Sequence, residues 1–188
     1  MANLDEYERY TYSIVDDTGF PKKGQHSVGV ARQYCGQPGK QDNCQVALRL
    51  SLATARGSLP ISFRLYLPEE WASDKARREK AGVPAEITFA TEPQIALEQI
   101  RAAKTAGVPV GVVLGDAGYG NGIEFRDGLR ELELKYCVGV QPSTTVWTGE
   151  LASLPPKPKK SKRGRPATRL RRAAGACRSS VSVPPSTG

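Results

Sequence analysis

The order of apolar segments in this sequence predicts an α/β fold built on one mixed sheet. Three observations carry the prediction. Four strand-like segments joined by short loops fill the first 70 residues, the pattern turns to helix–strand–helix–strand after Pro68, and the periodicity stops near Trp147. Short loops favour antiparallel pairing of the first four segments, because parallel neighbours need a longer crossover. A meander followed by helix-linked strands gives a sheet of mixed direction.

Each element has its own signal. Tyr10 to Val15 is rich in β-branched and aromatic residues and ends at Asp16-Asp17, with Gly19, Pro21 and Gly24 marking a turn. Ser27 to Tyr34 reads as a second strand and Gly36 to Asn43 as a turn-rich link. Gln45 to Leu52 alternates strictly, with Val46, Leu48, Leu50 and Leu52 on one face. Leu59 to Leu67 is the fourth strand, and Glu69 to Ala81 is charged and helical in part. The clearest helix is Glu92 to Ala106, where Pro93 suits the first turn, Ile95, Leu97, Ile100 and Ala103 form the apolar side, and Gly107 suits the end. Val108 to Leu114 is a short apolar strand of the fully buried kind. A helix at Ile123 to Leu132 and a strand at Lys135 to Val140 complete the series. This is the element order of the RNase H-like fold.

Charge divides the chain differently. The sequence has 27 Lys and Arg against 19 Asp and Glu, a net +8. Ten of the bases and none of the acids lie between Leu151 and Gly188, which leaves 17 bases against 19 acids in the first 150 residues. The expected organisation is therefore a near-neutral folded domain over 1–150 and a basic, Pro-rich, disordered tail over 151–188. No apolar run approaches the roughly 20 residues of a membrane span. The N-terminus lacks the basic and apolar regions of a secretory signal. The four cysteines show no paired metal-ligand spacing and there is one histidine, so a zinc site is not expected. Cys35 and Cys44 are close enough in sequence to pair, but free thiols of a reduced, cytosolic protein are the favoured reading. A phosphate loop is lacking, and the spacing of Gly115, Gly118 and Gly120 is not that of a dinucleotide loop.

Two acidic positions stand out. Asp16 and Asp17 end the first strand, and Asp116 follows the buried strand in a glycine-rich turn. Carboxylates at the ends of adjacent central strands converge at one sheet edge and can hold hard divalent cations. The plainer reading is that Asp16-Asp17 caps a turn and Asp116 caps a helix. Lys22 and Lys23 are placed to contact phosphates or to form a solvated turn. His26 shows no partner, and Trp71 and Trp147 are expected to pack rather than stack on bases. In the tail, Lys159, Lys160, Lys162, Arg163, Arg165, Arg169, Arg171 and Arg172 form a cluster suited to phosphate neutralisation. Arg163-Gly164-Arg165-Pro166 resembles the core of an AT-hook, a segment that lays arginines in the minor groove.

Longer motifs carry a family resemblance. Val15-Asp16-Asp17-Thr18-Gly19-Phe20-Pro21-Lys22-Lys23-Gly24, His26 to Tyr34, and Asn43-Cys44-Gln45-Val46 resemble bacterial DDE-type insertion-sequence transposases of the 701-like family. So do Arg64-Leu65-Tyr66-Leu67-Pro68-Glu69-Glu70-Trp71 and Val113-Leu114-Gly115-Asp116-Ala117-Gly118-Tyr119-Gly120. The resemblance runs from about Tyr12 to Arg172. It implies an RNase H-like catalytic domain whose acidic triad binds Mg²⁺ or Mn²⁺. The first acid carries over to the Asp16-Asp17 pair, with Asp17 favoured and Asp16 open, and the second to Asp116. The third, a glutamate on a later helix, has no counterpart, since Glu150 is the last acid and precedes the basic segment.

The chain is thus expected to be a transposase fragment, truncated at both ends and inactive alone. Its family cuts and transfers DNA strands at insertion-sequence ends. The implied partners are element-end and target DNA, a second copy or a full-length transposase, and no membrane. The implied location is the bacterial cytoplasm, on DNA. The alternative is a non-enzymatic DNA-binding or regulatory protein acting through the basic tail.

Overall fold

The computed structural model describes residues 11–144. Every described element lies in the first of the chain's two units, Met1–Val140. The tail bases, Trp147, Glu150 and the expected boundary at 150 lie outside the described residues. Among the described residues, six strands form one sheet: β1 (Tyr12–Pro21), β2 (Ala31–Cys35), β3 (Lys40–Thr54), β4 (Gly57–Leu65), β5 (Val112–Gly115) and β6 (Tyr136–Val138). The order is β2-β3-β1-β5-β6, with β4 also paired to β3. Pairs within β1–β4 are antiparallel, whereas β1–β5 and β5–β6 are parallel. This is the mixed, RNase H-like sheet that the element order predicts.

Among the described residues, five helices accompany it: α1 (Glu69–Ser73), α2 (Lys75–Lys80), α3 (Glu92–Thr105), α4 (Ala117–Gly120) and α5 (Ile123–Glu131). α3 starts at a complete capping box, in which Thr91 Oγ1 accepts from the Gln94 N–H and Gln94 Oε1 accepts from the Thr91 N–H. Its Ile95, Ala96, Ile100 and Ala103 join Val15, Leu48, Leu50, Val113, Phe125 and Leu129 in the main core. Burying each large aliphatic side chain there contributes about 1.5–3 kcal/mol. A smaller core of Val30, Leu67 and Trp71 lies under α1 and the start of β2. Cys35 and Cys44 are free and buried with Val46, as the thiol reading expects. Burial and the neighbouring Cys35 push the Cys44 thiol up to about 11.

Several strand boundaries differ from expectation. β1 does not end at Asp16-Asp17 but continues through Gly19 to Pro21, because the 15-residue β3 pairs with all ten of its residues. The two acids are therefore mid-strand and cap no turn. The second strand starts at Ala31 rather than Ser27, and Lys40–Asn43 belongs to β3 rather than to a link. Gly29 sits at φ +74°, where a Cβ would come within 2.6 Å of the Tyr66 carbonyl, so Ser27–Val30 must turn. β5 starts at Val112 rather than Val108 because Gly111, at φ +63°, passes too close to Thr11 for any side chain.

Candidate functional site

Alternation along β1 sends its two aspartates to opposite faces of the sheet. Asp17 stands opposite Leu48, a core residue, and so lies on the face covered by α3. Asp16 stands opposite Arg49 and forms an ion pair with it at 3.1 Å on the other face. Asp116 follows β5 directly. It is the N-cap of α4, where its Oδ1 accepts from the Gly118 N–H at 2.8 Å, so the helix-cap reading holds for this residue. Parallel pairing sets Ile14 beside Leu114, and extending that register brings Asp116 level with the β1 acids.

Burial and like charge act together on these groups. Burial, then the negative charges of Asp16 and Asp116, raise the Asp17 carboxyl above its ordinary value. Burial, then Asp17 and Asp116, raise Glu92 in the same way. Tyr119, 2% exposed, has its hydroxyl driven up by burial and then by Asp17, Glu92, Asp116 and Asp16. That hydroxyl is buried without a hydrogen-bond partner. Repelling carboxylates and an unsatisfied hydroxyl thus gather where β1 and β5 part. Among the described residues, no three His, Cys, Asp or Glu side chains come close enough together to hold a metal ion.

Glu92 was not singled out from sequence. The signal was topological. A helix that leads into a strand parallel to its neighbours runs back along the sheet, so its first turn lies at the strand's C-terminal end. Glu92 opens α3, the helix before β5, and Asp116 follows β5. Lys22 and Lys23 lie just beyond β1 and are exposed; at about 3.3 Å per residue, Lys22 is about 17 Å from Asp17. Trp71 packs as expected, 1% exposed with its indole N–H donating to the Val30 carbonyl at 2.8 Å. His26 lies apart from the acids, beside α2.

The mixed sheet and its strand order define an RNase H-like fold, with Asp17 on β1 and Asp116 directly after the neighbouring parallel strand β5. The family model of DDE superfamily endonucleases matches residues 6–187, and the chain belongs to that superfamily. It is 35% identical over 136 residues to a probable transposase for insertion sequence element IS701 from Microchaete diplosiphon. That match covers 71% of this chain and 32% of the relative, so the chain spans about a third of that protein's length. No solved structure matches. Among the described residues, no helix is long and apolar enough to cross a membrane.

Proposed function

We propose that this chain supplies the first two carboxylates, Asp17 and Asp116, of a transposase site that cuts DNA strands at the ends of an insertion sequence. The reading rests on Asp17 in β1 and Asp116 just past its parallel neighbour β5, with burial first and then the charges of Asp16 and Asp116 raising the Asp17 carboxyl. The donor set fits a hard divalent cation such as Mg²⁺ or Mn²⁺, which prefers carboxylate oxygen and would relieve the repulsion. Asp17 and Asp116 would hold it, with Asp16 drawn to Arg49 on the other face. When bound, such an ion activates water and stabilises the leaving oxygen.

The chain's own residues do the rest. Asp17 and Asp116 orient the attacking oxygen as the bond from water to phosphorus forms and the bond from phosphorus to the 3′-oxygen breaks, leaving the 3′-hydroxyl for strand transfer. Lys22, Lys23 and the tail bases Lys159, Lys160, Lys162, Arg163, Arg165, Arg169, Arg171 and Arg172 neutralise phosphates. With two well-placed carboxylates, cations bind weakly and the chain alone does not cleave at a useful rate. A DNA-binding role without cleavage, carried by the tail, is the second reading, favoured by the lack of a three-ligand group among the described residues.

Incubation of the purified chain with element-end DNA and Mg²⁺ or Mn²⁺ tests this reading. The expected result is no cleavage by the chain alone, with cation binding lost in Asp116→Asn. Cleavage that disappears in Asp116→Ala would show instead that these residues suffice.

A further inference from the structure

A second charged site lies beyond the end of β1, and its cavity residues are not among the acids. The loop after β1 carries Lys22, Lys23 and His26, and it is pinned at both ends. On one side, the Asn43 side-chain amide donates to the Lys22 carbonyl at 2.6 Å and to the Gly24 carbonyl at 3.0 Å. The Lys22 N–H donates back to the Asn43 carbonyl at 2.8 Å. On the other side, the Arg77 guanidinium donates to the Gln25 carbonyl at 3.0 Å.

The same guanidinium lies 3.7 Å from the centre of the Trp71 ring. Trp71 is itself fixed by burial and by its bond to Val30. The buried ring is a rigid base for the Arg77 guanidinium, and the contact is a cation–π interaction. A guanidinium has five N–H donors, and here one is committed to Gln25. The adjacent Arg78 is different: it is consumed by the carbonyls of Ala72, Pro84, Ala85 and Ile87. Beside Arg77 is a cavity of about 220 Å³ lined by His26, Trp71, Arg77, Lys80 and Ala81. Among the described residues, no carboxylate forms an ion pair with Arg77, Lys80, Lys22 or Lys23.

A preorganised guanidinium with free donors, a lysine and an imidazole around a small cavity suit a tetrahedral phosphate oxyanion. The length of β1 sets the separation between the acids and this loop. Lys22 is about 17 Å along β1 from Asp17, equivalent to about five base pairs of duplex rise. We propose that His26, Arg77 and Lys80, with Lys22 and Lys23 at the rim, form a clamp for one DNA backbone phosphate a few nucleotides from the strand held at the acids. The proposal rests on the DNA-processing reading for its ligand and not on the metal site for its geometry.

His26 is the chain's single histidine, so its imidazole proton resonance in the untagged chain reads this cavity directly. Titration with a short duplex should move that resonance saturably. Lys80→Ala and Arg77→Gln should each make the dependence of log K on log salt shallower by about 0.9, the loss of one phosphate contact. Lys75→Ala should leave the slope unchanged, since Lys75 is paired with Glu79 and lies outside the cavity. Lys80 is exposed, so its variant keeps the fold even if Arg77→Gln loosens Trp71. A His26 resonance unmoved at saturating DNA, or unchanged slopes in Lys80→Ala, overturns the clamp. A resonance that responds to inorganic phosphate and not to DNA also overturns it. Cation binding by the same samples is measured separately. Its loss removes the cleavage reading and leaves the clamp standing.

Discussion

On the helix side of the sheet, Val15, Leu48, Leu50 and Val113 lie in the core under α3, and Asp17 shares their face. On the other side, Phe20, Ile61, Phe63 and Leu65 are exposed, and Asp16 is paired with Arg49. Asp16 and Asp17 are chain neighbours, yet one meets a cation at a solvated surface and the other meets burial and like charge. The difference teaches that position along a strand counts for less than which face the residue takes. A carboxylate next to a guanidinium is already satisfied, whereas one pushed up by other carboxylates gains from a cation.

The largest expected effect breaks the comparison at the level of packing. Ile100→Ala removes a fully buried side chain from the core and should cost about 2–5 kcal/mol in chemical denaturation. Phe63→Ser, at 59% exposure on the other face, should change stability by no more than about 0.5 kcal/mol. Equal losses would mean that the second face is as fully packed as the first.

A smaller effect sharpens the electrostatic difference. The folded state holds the Glu92 proton more tightly than the unfolded chain does, because burial and the charges of Asp17 and Asp116 raise its pKa above 4.5. Ionised Glu92 therefore weakens the fold at neutral pH. That penalty is absent below about pH 4.5, where the residue is protonated in both states, and it grows as pH rises through the raised value. Glu92→Gln should stabilise the chain at pH 7 by about 0.5–1 kcal/mol and by nothing near pH 4, as read from melting curves at both values. A gain that persists at pH 4 would assign it to packing instead. The smallest effect belongs to the solvated pair. Arg49→Ala should cost at most about 1 kcal/mol, and less in high salt.

Much of this frame was legible in the residues. Alternation from Gln45 to Leu52, the Pro93 start and Gly107 end of α3, and Asp116 after an apolar strand all stand where they were expected. The misread strand boundaries share a cause, which is that partners distant in sequence decide them. Gly19 and Pro21 have the composition of a turn, but β3 is long enough to hold them in β1. Ser27–Val30 has the composition of a strand, but Tyr66 blocks that path at Gly29. Ala117–Gly120, half glycine, has poor helix propensity and forms a turn of helix under the Asp116 cap. Glu92 reads only as a helix start until the direction of α3 relative to β5 is known.

The central claim is that Asp17 and Asp116 share a cation and Asp16 does not. Titrating Mn²⁺ into the chain and its Asp16→Asn, Asp17→Asn and Asp116→Asn variants, with free Mn²⁺ followed by electron paramagnetic resonance, tests it most directly. Losing either Asp17 or Asp116 should weaken binding on the order of tenfold, since affinity in such sites follows the number of carboxylates. Asp16→Asn should leave affinity within about twofold, because that carboxylate is held by Arg49 on the opposite face. A loss in Asp16→Asn equal to that in Asp17→Asn, or no loss in Asp116→Asn, would contradict the assignment.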